Sequence, residues 1–108
     1  MNFIEQYFNE AKIIIDKIDK TKIKEMISII DNTRSKNGRM FILGVGGGAG
    51  HASHAVNDFR KICGIESYTP TDNVSELTAR VNDDGWDTSY LNWLKISKLN
   101  SNDLLLIF

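Results

Sequence analysis

The chain has 108 residues, enough for one domain or part of one, and its 42% hydrophobic and 25% charged content is typical of a globular protein. A formal net charge of -1 gives no electrostatic reason to expect a nucleic acid or an acidic membrane surface as a partner, and no apolar run is long enough to span a membrane. One cysteine, Cys63, excludes an internal disulfide, and with no signal-peptide pattern at the N-terminus we expect a cytoplasmic protein.

Two amphipathic helices are predicted before the first strand. The first covers about residues 2–19 and the second runs from about Thr21 to Ser35, with Thr21 as its N-cap. The apolar face of the first helix is aromatic as well as aliphatic and includes Phe3, Ile4, Tyr7, Phe8 and Ile14. This face either covers a sheet edge or packs against another subunit. We favour the subunit contact, which predicts a homo-oligomer.

Apolar, strand-like segments alternate with helical ones along the rest of the chain. The strand Arg39–Leu43 does not alternate with polar residues, so burial on both faces is expected. Strands separated by helices predict an α/β fold, a three-layer doubly wound parallel sheet with helices on both faces. The other predicted segments are a helix His51–Ile62, a strand Ile65–Thr69, a helix from the cap Asn73 to Val81, a polar loop Asn82–Gly85, a helix capped by Asp87 and a strand Leu104–Phe108.

The last predicted strand ends with the sequence, at Phe108. In open α/β sheets the ligand lies outside the carboxyl ends of the strands, so the loop after this strand should line the same crevice as the loop after the first one. We therefore expect residues 1–108 to be a single domain truncated at its C-terminus.

A glycine-rich turn joins the first strand to the helix that follows it. Five of the seven residues from Gly44 to Gly50 are glycine. Such a turn brings backbone N–H groups close to a ligand and points a helix N-terminus at it, which favours phosphate and other anions. Further along the helix, His54 and Asp58 are four residues apart and share a face. This spacing suits either a surface ion pair or half of a metal or acid–base site, and we expect the pair to face the crevice at the carboxyl ends of the strands, close to the glycine turn.

Three motifs together resemble the sugar isomerase (SIS) domain, and most of all the phosphoheptose isomerases. They are Gly44-Val-Gly-Gly-Gly, His54-Ala-Val-Asn-Asp58 and Val81-Asn-Asp-Asp-Gly-Trp86, in that order after two helices. The resemblance covers essentially the whole chain and implies a flavodoxin-like SIS fold. It also implies interconversion of sedoheptulose 7-phosphate and a heptose 7-phosphate through an enediol, for surface polysaccharide. Members of the family are typically cytoplasmic homotetramers, and often bind zinc.

The resemblance also implies roles for individual residues. Asp58 falls where the family has a glutamate that is catalytic base and metal ligand, and His54 matches a metal-ligating histidine. The positions implied to bind the phosphosugar are Gly46, Gly47, Gly48 and Asp83. Val45 and Gly48 replace the family's Asn and Ser, so two expected side-chain contacts are missing.

Two other interpretations remain open. The departures at Val45, Gly48 and Asp58 are also what a non-catalytic phosphosugar-binding or regulatory SIS module would show. A dinucleotide-binding domain is the other, because a Gly-x-Gly-x-x-Ala pattern begins at Gly44 and Glu66 follows at a suitable distance for a ribose hydroxyl. Against it, two helices precede the first strand, and the acid should end the second strand instead of beginning it.

Overall fold

A computed structural model describes residues 2–108 as an α/β structure with one three-stranded parallel sheet and five helices, so the predicted fold class is confirmed at this level. The sheet order is β2-β1-β3. The elements are α1 (Phe3–Lys17), α2 (Lys20–Ser35), β1 (Met40–Leu43), α3 (Gly47–Lys61), β2 (Ser67–Tyr68), α4 (Val74–Asp84), α5 (Ser89–Ile96) and β3 (Leu104–Ile107).

The central strand is β1, which pairs in parallel with both neighbours. Met40 lies opposite Ser67 of β2 on one side and opposite Leu104 of β3 on the other. The chain therefore moves from β1 to one side of the sheet and then returns across it to form β3. In open α/β sheets such a reversal of strand order opens a crevice outside the carboxyl ends of the two strands concerned. Here these strands are β1 and β3.

Side chains of β1 supply the centre of the hydrophobic core on both faces of the sheet. All four residues of β1 are buried, which confirms the burial predicted from its sequence. Because successive side chains of a strand point to opposite faces, the residues of β1 divide between two clusters. One cluster consists of Met40, Ile42, Ala52, Val56 and Ile65, and the other of Phe41, Leu43, Trp93 and Leu94. The glycine turn directly follows this fixed strand.

Two helices begin earlier than the sequence predicted. The N-cap of α2 is Asp19, whose carboxylate accepts the N–H groups of Thr21 and Lys22, so the prediction of Thr21 as the cap was wrong. An ionised carboxylate at the cap also interacts favourably with the positive end of the helix dipole. The helix α3 begins at Gly47 and not at His51, so half of the glycine turn is helical.

The second half of the chain differs from prediction at three places. The strand β2 has only two residues, and a 3-10 turn at Pro70–Asp72 follows it. Residues 82–84 form the last turn of α4 and not a loop, and the helix ends at Gly85, whose φ of 88° suits glycine. The N-cap of α5 is Thr88, without a side-chain hydrogen bond, in place of Asp87.

The first helix, α1, is capped at its N-terminus but has no buried residue. Asn2 and Glu5 form a reciprocal capping box there. No residue of α1 is buried, and its apolar side chains, among them Phe3 and Phe8, are mostly exposed. Among residues 2–108, no helix is long and apolar enough to cross a membrane.

Candidate functional site: the glycine turn and the outer face of the following helix

The turn after β1 depends on glycine at two positions for different reasons. Gly46 has φ 58° and ψ -121°, a conformation that is strained for any residue with a Cβ. Gly44 needs the space, since a Cβ there would lie 2.1 Å from the carbonyl oxygen of Gly48. The chain thus folds back on itself within five residues, which brings the start of α3 against the end of β1.

The N-terminus of α3 has fewer free N–H groups than a helix end usually offers. Gly46 caps it without a side-chain hydrogen bond, and the N–H groups of Gly48 and Ala49 bond to the carbonyls of Val45 and Gly46, each at 3.0 Å. Of the first three helical residues, only Gly47 has an N–H group without an acceptor in the described chain. An anion at this turn would meet this donor and the helix dipole.

The turn lies beside the end of β3, as the sheet order requires. The N–H of Phe108 donates to the carbonyl of Leu43 at 2.9 Å. A Cβ built on Gly48 would lie 3.7 Å from the Cβ of Phe108, and the rings of His51 and Phe108 have centroids 6.1 Å apart. The start of α3 and the end of β3 therefore form two adjacent walls at the carboxyl edge of the sheet.

Tyr90 of α5 fixes the turn from the other face of the sheet, which the sequence did not predict. Its hydroxyl donates to the carbonyl of Gly44 at 2.7 Å, and its ring lies 5.3 Å from that of Trp86. Partial burial raises the pKa of Tyr90, so its hydroxyl remains a donor to a higher pH than that of a free tyrosine. A side-chain bond across 46 residues leaves no local pattern in the sequence.

His54 and Asp58 form an ion pair on the outer face of α3. His54 Nε2 lies 3.2 Å from Asp58 Oδ2, and their side chains are 77% and 46% exposed. Each residue follows a buried alanine or valine, Ala52 or Val56, by two positions, which is about 200° round the helix. The pair therefore points away from the sheet, so the expectation that it faces the crevice was wrong. His54 is seven residues from Gly47, about 10 Å along the helix axis.

These two side chains do not by themselves make a zinc site. Catalytic zinc takes three protein ligands and structural zinc four. No group of three or more His, Cys, Asp or Glu side chains within residues 2–108 is placed to hold a metal ion. His54 and Asp58 supply two ligand atoms, so a zinc ion at this position would need further ligands from outside the described residues.

Asp83, the remaining predicted site residue, makes its hydrogen bond with a neighbour in α4 and not with these groups. It is exposed in the last turn of α4, and its carboxylate accepts a hydrogen bond from the side chain of Asn82 at 3.1 Å. Among residues 2–108, no hydrogen bond or ion pair joins Asp83 to the glycine turn or to His54. The structure thus brings together Gly46, Gly47 and Gly48, pairs His54 with Asp58, and leaves Asp83 separate.

The main cavities lie elsewhere in the molecule. One of about 340 Å³ is apolar and lies between α2 and α3, where Ile27, Ile30 and Phe59 line it. Another of about 330 Å³ lies beside β2. Neither includes the glycine turn, which is an open surface feature.

Comparison of the chain with protein-family models, with curated proteins and with solved structures finds no match. The resemblance to the SIS domain therefore rests on the glycine turn, on the His54–Asp58 spacing and on the motif from Val81 to Trp86 alone.

Proposed function

We propose that this chain belongs to a phosphosugar isomerase of the SIS type, acting on sedoheptulose 7-phosphate and a heptose 7-phosphate. The observation that carries the proposal is the position of the glycine turn. It joins the central strand to α3 at the edge where the strand order reverses, next to Phe108 at the end of β3. This edge is where open α/β sheets hold their ligands, and the turn has the free N–H of Gly47 for a phosphate oxygen.

In this proposal the residues of the turn bind the substrate, and residues of α3 transfer the proton. Gly46 and Gly47 hold the phosphate through backbone groups, and Gly48 lets the sugar approach the end of β3. Asp58 is the base that takes a proton from one carbon of the substrate and returns it to the neighbouring carbon through an enediol. His54 orients this carboxylate through the 3.2 Å contact. A bound zinc ion would polarise the carbonyl oxygen of the substrate.

The exposure of the pair determines what else the site requires. Because His54 and Asp58 point away from the sheet and no group of three metal-binding side chains lies among the described residues, the groups that complete a site around them would come from another molecule or from outside the described residues. A second copy of the chain is one source. We propose a homotetramer in the cytoplasm in which the apolar face of α1, including Phe3 and Phe8, packs between subunits, since these side chains are mostly exposed in the single chain.

A second candidate function is phosphosugar binding without catalysis, in a regulatory SIS module. The observation that favours it is the ion pair itself. The carboxylate of Asp58 is already in contact with His54, the His54 side chain is mostly exposed, and no third metal ligand joins the pair among the described residues. Asp58 is also one methylene shorter than the glutamate of the family, and a misplacement of about 1 Å can cost roughly a hundredfold in rate.

A coupled assay with sedoheptulose 7-phosphate, with and without zinc, tests the two candidates. Turnover that disappears in Asp58→Asn supports the isomerase, and Asp58→Glu should then raise the rate by restoring the longer carboxylate. Binding of the phosphosugar in calorimetry without turnover in any variant supports the module. Neither turnover nor binding would refute both.

A further inference from the structure

An apolar groove of about 340 Å³ lies between α2 and α3, and residues of the hydrophobic core line it. Ile65 is 3% exposed and belongs to the core cluster that includes Met40. Ile30, Phe59 and Cys63 also line the groove and pack against the same cluster, but each is only partly buried. A side chain placed in this α2–α3 groove would therefore extend the core.

The charged groups of the α2–α3 groove already balance each other. Asp31 and Arg34 are the charged residues of its lining, and they form an ion pair with one another. The other lining side chains are apolar, apart from the thiol of Cys63. Covering the groove would therefore leave neither lining charge without a counter-charge, which is what makes burying a charged group costly. These features favour an apolar partner over a charged one.

The helix α1 presents an apolar face that the described residues do not cover. Phe3, Tyr7 and Phe8 are 79%, 62% and 59% exposed, and no residue of α1 is buried. The radius of gyration is 17.0 Å, against about 13 Å for a compact domain of this length, as expected when a helix projects from the rest. A helix of 15 residues is only marginally stable in water by itself. Packing against an apolar surface would therefore stabilise α1.

The short link between α1 and α2 holds α1 away from the groove of its own chain. Only Ile18 and Asp19 separate the two helices, and both have extended backbone conformations. The carboxylate of Asp19 also accepts the N–H groups of Thr21 and Lys22. No residue of α1 lines the groove, and folding α1 back onto it would require new conformations at both link residues and would disturb this cap. A second copy of the chain can present its groove to α1 without any such change.

We propose that α1 of one copy docks in the α2–α3 groove of a second copy, which docks its own α1 in return. Such an exchange is a two-fold contact, in which each copy supplies the same two surfaces. From their exposed fractions, Phe3, Tyr7 and Phe8 together offer about 300–500 Å², since an aromatic side chain buries roughly 150–250 Å². Each copy also contributes its groove, so the contact approaches the roughly 800 Å² per partner of a stable interface. The proposal rests on the packing of α1 between subunits and not on the isomerase chemistry.

The rate at which iodoacetamide alkylates Cys63 tests the proposal, because Cys63 is the single cysteine of the chain and lines the groove. The full chain is assayed from far below the dissociation constant for self-association, measured by sedimentation, to about ten times above it. We expect Cys63 to react about fivefold more slowly at the highest concentration, where most copies are associated. A rate that does not change with protein concentration would overturn the proposal, whether the groove stays open or is covered by α1 of the same chain. A chain that stays monomeric throughout would also overturn it.

Two variants that each add one glutamate locate the contact on α1. Phe8→Glu places a charge on the apolar face, so alkylation of Cys63 should stay fast at every concentration. Gln6→Glu is the matched control, because Gln6 is exposed about 200° round the helix from Phe8, and this variant should keep the slow rate at high concentration. Equal rates in the two variants would contradict this docking. If Phe8→Glu dissociates the oligomer without changing the rate at Cys63, α1 packs between subunits at another surface, and the groove is overturned as its site.

Discussion

The ion pair between Arg39 and Asp103 joins the starts of β1 and β3, and its removal should be the most destabilising polar change in the described chain. Asp103 Oδ2 lies 2.9 Å from Arg39 Nη2, and the Asp103 side chain is 2% exposed. Its carboxylate also accepts the backbone N–H groups of Arg39 and Asn100 at 2.9 and 3.0 Å. Asp103→Ala would therefore leave two backbone N–H groups without their acceptor and the Arg39 guanidinium without its counter-charge, with only the carbonyls of Ser97 and Lys98 as acceptors.

The expected cost follows from the degree of burial. Removing one partner of a buried pair costs about 3–5 kcal/mol, and the 25% exposure of Arg39 allows some rehydration, so about 3 kcal/mol is expected. For a domain of this size each 1 kcal/mol shifts the melting temperature by about 4–8 °C, so the variant should melt at least about 12 °C lower. Asp31→Ala is the control, because its pair with Arg34 is exposed and should contribute under about 1 kcal/mol.

The pH dependence separates the charge of Asp103 from its shape. Burial acts to raise the pKa of Asp103, but hydrogen bonds from Arg39 and Asn100 and the charge of Arg39 outweigh it and hold the pKa below its usual value. A lowered folded-state pKa stabilises the fold above the unfolded-state pKa, about 3.9, and the stabilisation is lost as the pH falls through the folded-state value. In urea titrations the difference in the free energy of unfolding between wild type and Asp103→Asn should become smaller below about pH 4. A difference between these two proteins of less than about 1 kcal/mol at pH 7 would refute this reasoning. So would a difference at pH 2 that equals the one at pH 7.

Three further predictions concern the glycine turn and α1. Gly46→Ala should lower the free energy of unfolding in urea by about 1–3 kcal/mol, because Gly46 has a positive φ. Gly47→Ala, with open space and no positive φ, should leave this free energy unchanged or raise it by up to about 1 kcal/mol. Equal losses in the two variants would contradict the turn geometry. Tyr90→Phe should lose about 1 kcal/mol and weaken phosphosugar binding measured by calorimetry, since the carbonyl of Gly44 loses its donor; unchanged stability and affinity would show that this bond is unimportant. In sedimentation the chain should be an oligomer at micromolar concentration and Phe8→Asp should dissociate it, and a wild-type monomer would contradict the proposed packing of α1.

The sequence predicted the central strand and the fold class because those depend on hydrophobic pattern. Four consecutive apolar residues from Met40 to Leu43 indicate burial on both faces, and the structure places a cluster on each. Helix starts were harder, because Asp19 and Thr21 are both good N-caps and only the path of the chain decides between them. The start of α3 at Gly47 was missed because glycine has a low helix propensity, so the residues before His51 were read as a turn.

Contacts between distant residues could not be read from the sequence at all. Tyr90 reaches Gly44 across 46 positions, and Ser53 reaches Asp72 across 19. Each depends on which strands are neighbours, so it follows from the sheet order and leaves no local pattern. The prediction of a loop at Asn82–Asp84 was wrong for another reason. The polar residues of this segment were read as a loop, but α4 continues to Asp84 because the exposed end of a helix tolerates polar side chains.

The orientation of His54 and Asp58 could have been predicted from the apolar residues of α3. The spacing of the two residues alone does not determine it. A histidine and an aspartate four residues apart share a face of a helix whether they form an ion pair or a site. The apolar residues of α3 determine which face that is, because Ala52 and Val56 must point into the core and the pair then lies about 200° away. Any chemistry at His54 and Asp58 therefore takes place on the side of α3 that residues 2–108 leave exposed, and a ligand there must reach round the start of the helix from the glycine turn or be held in part by another molecule.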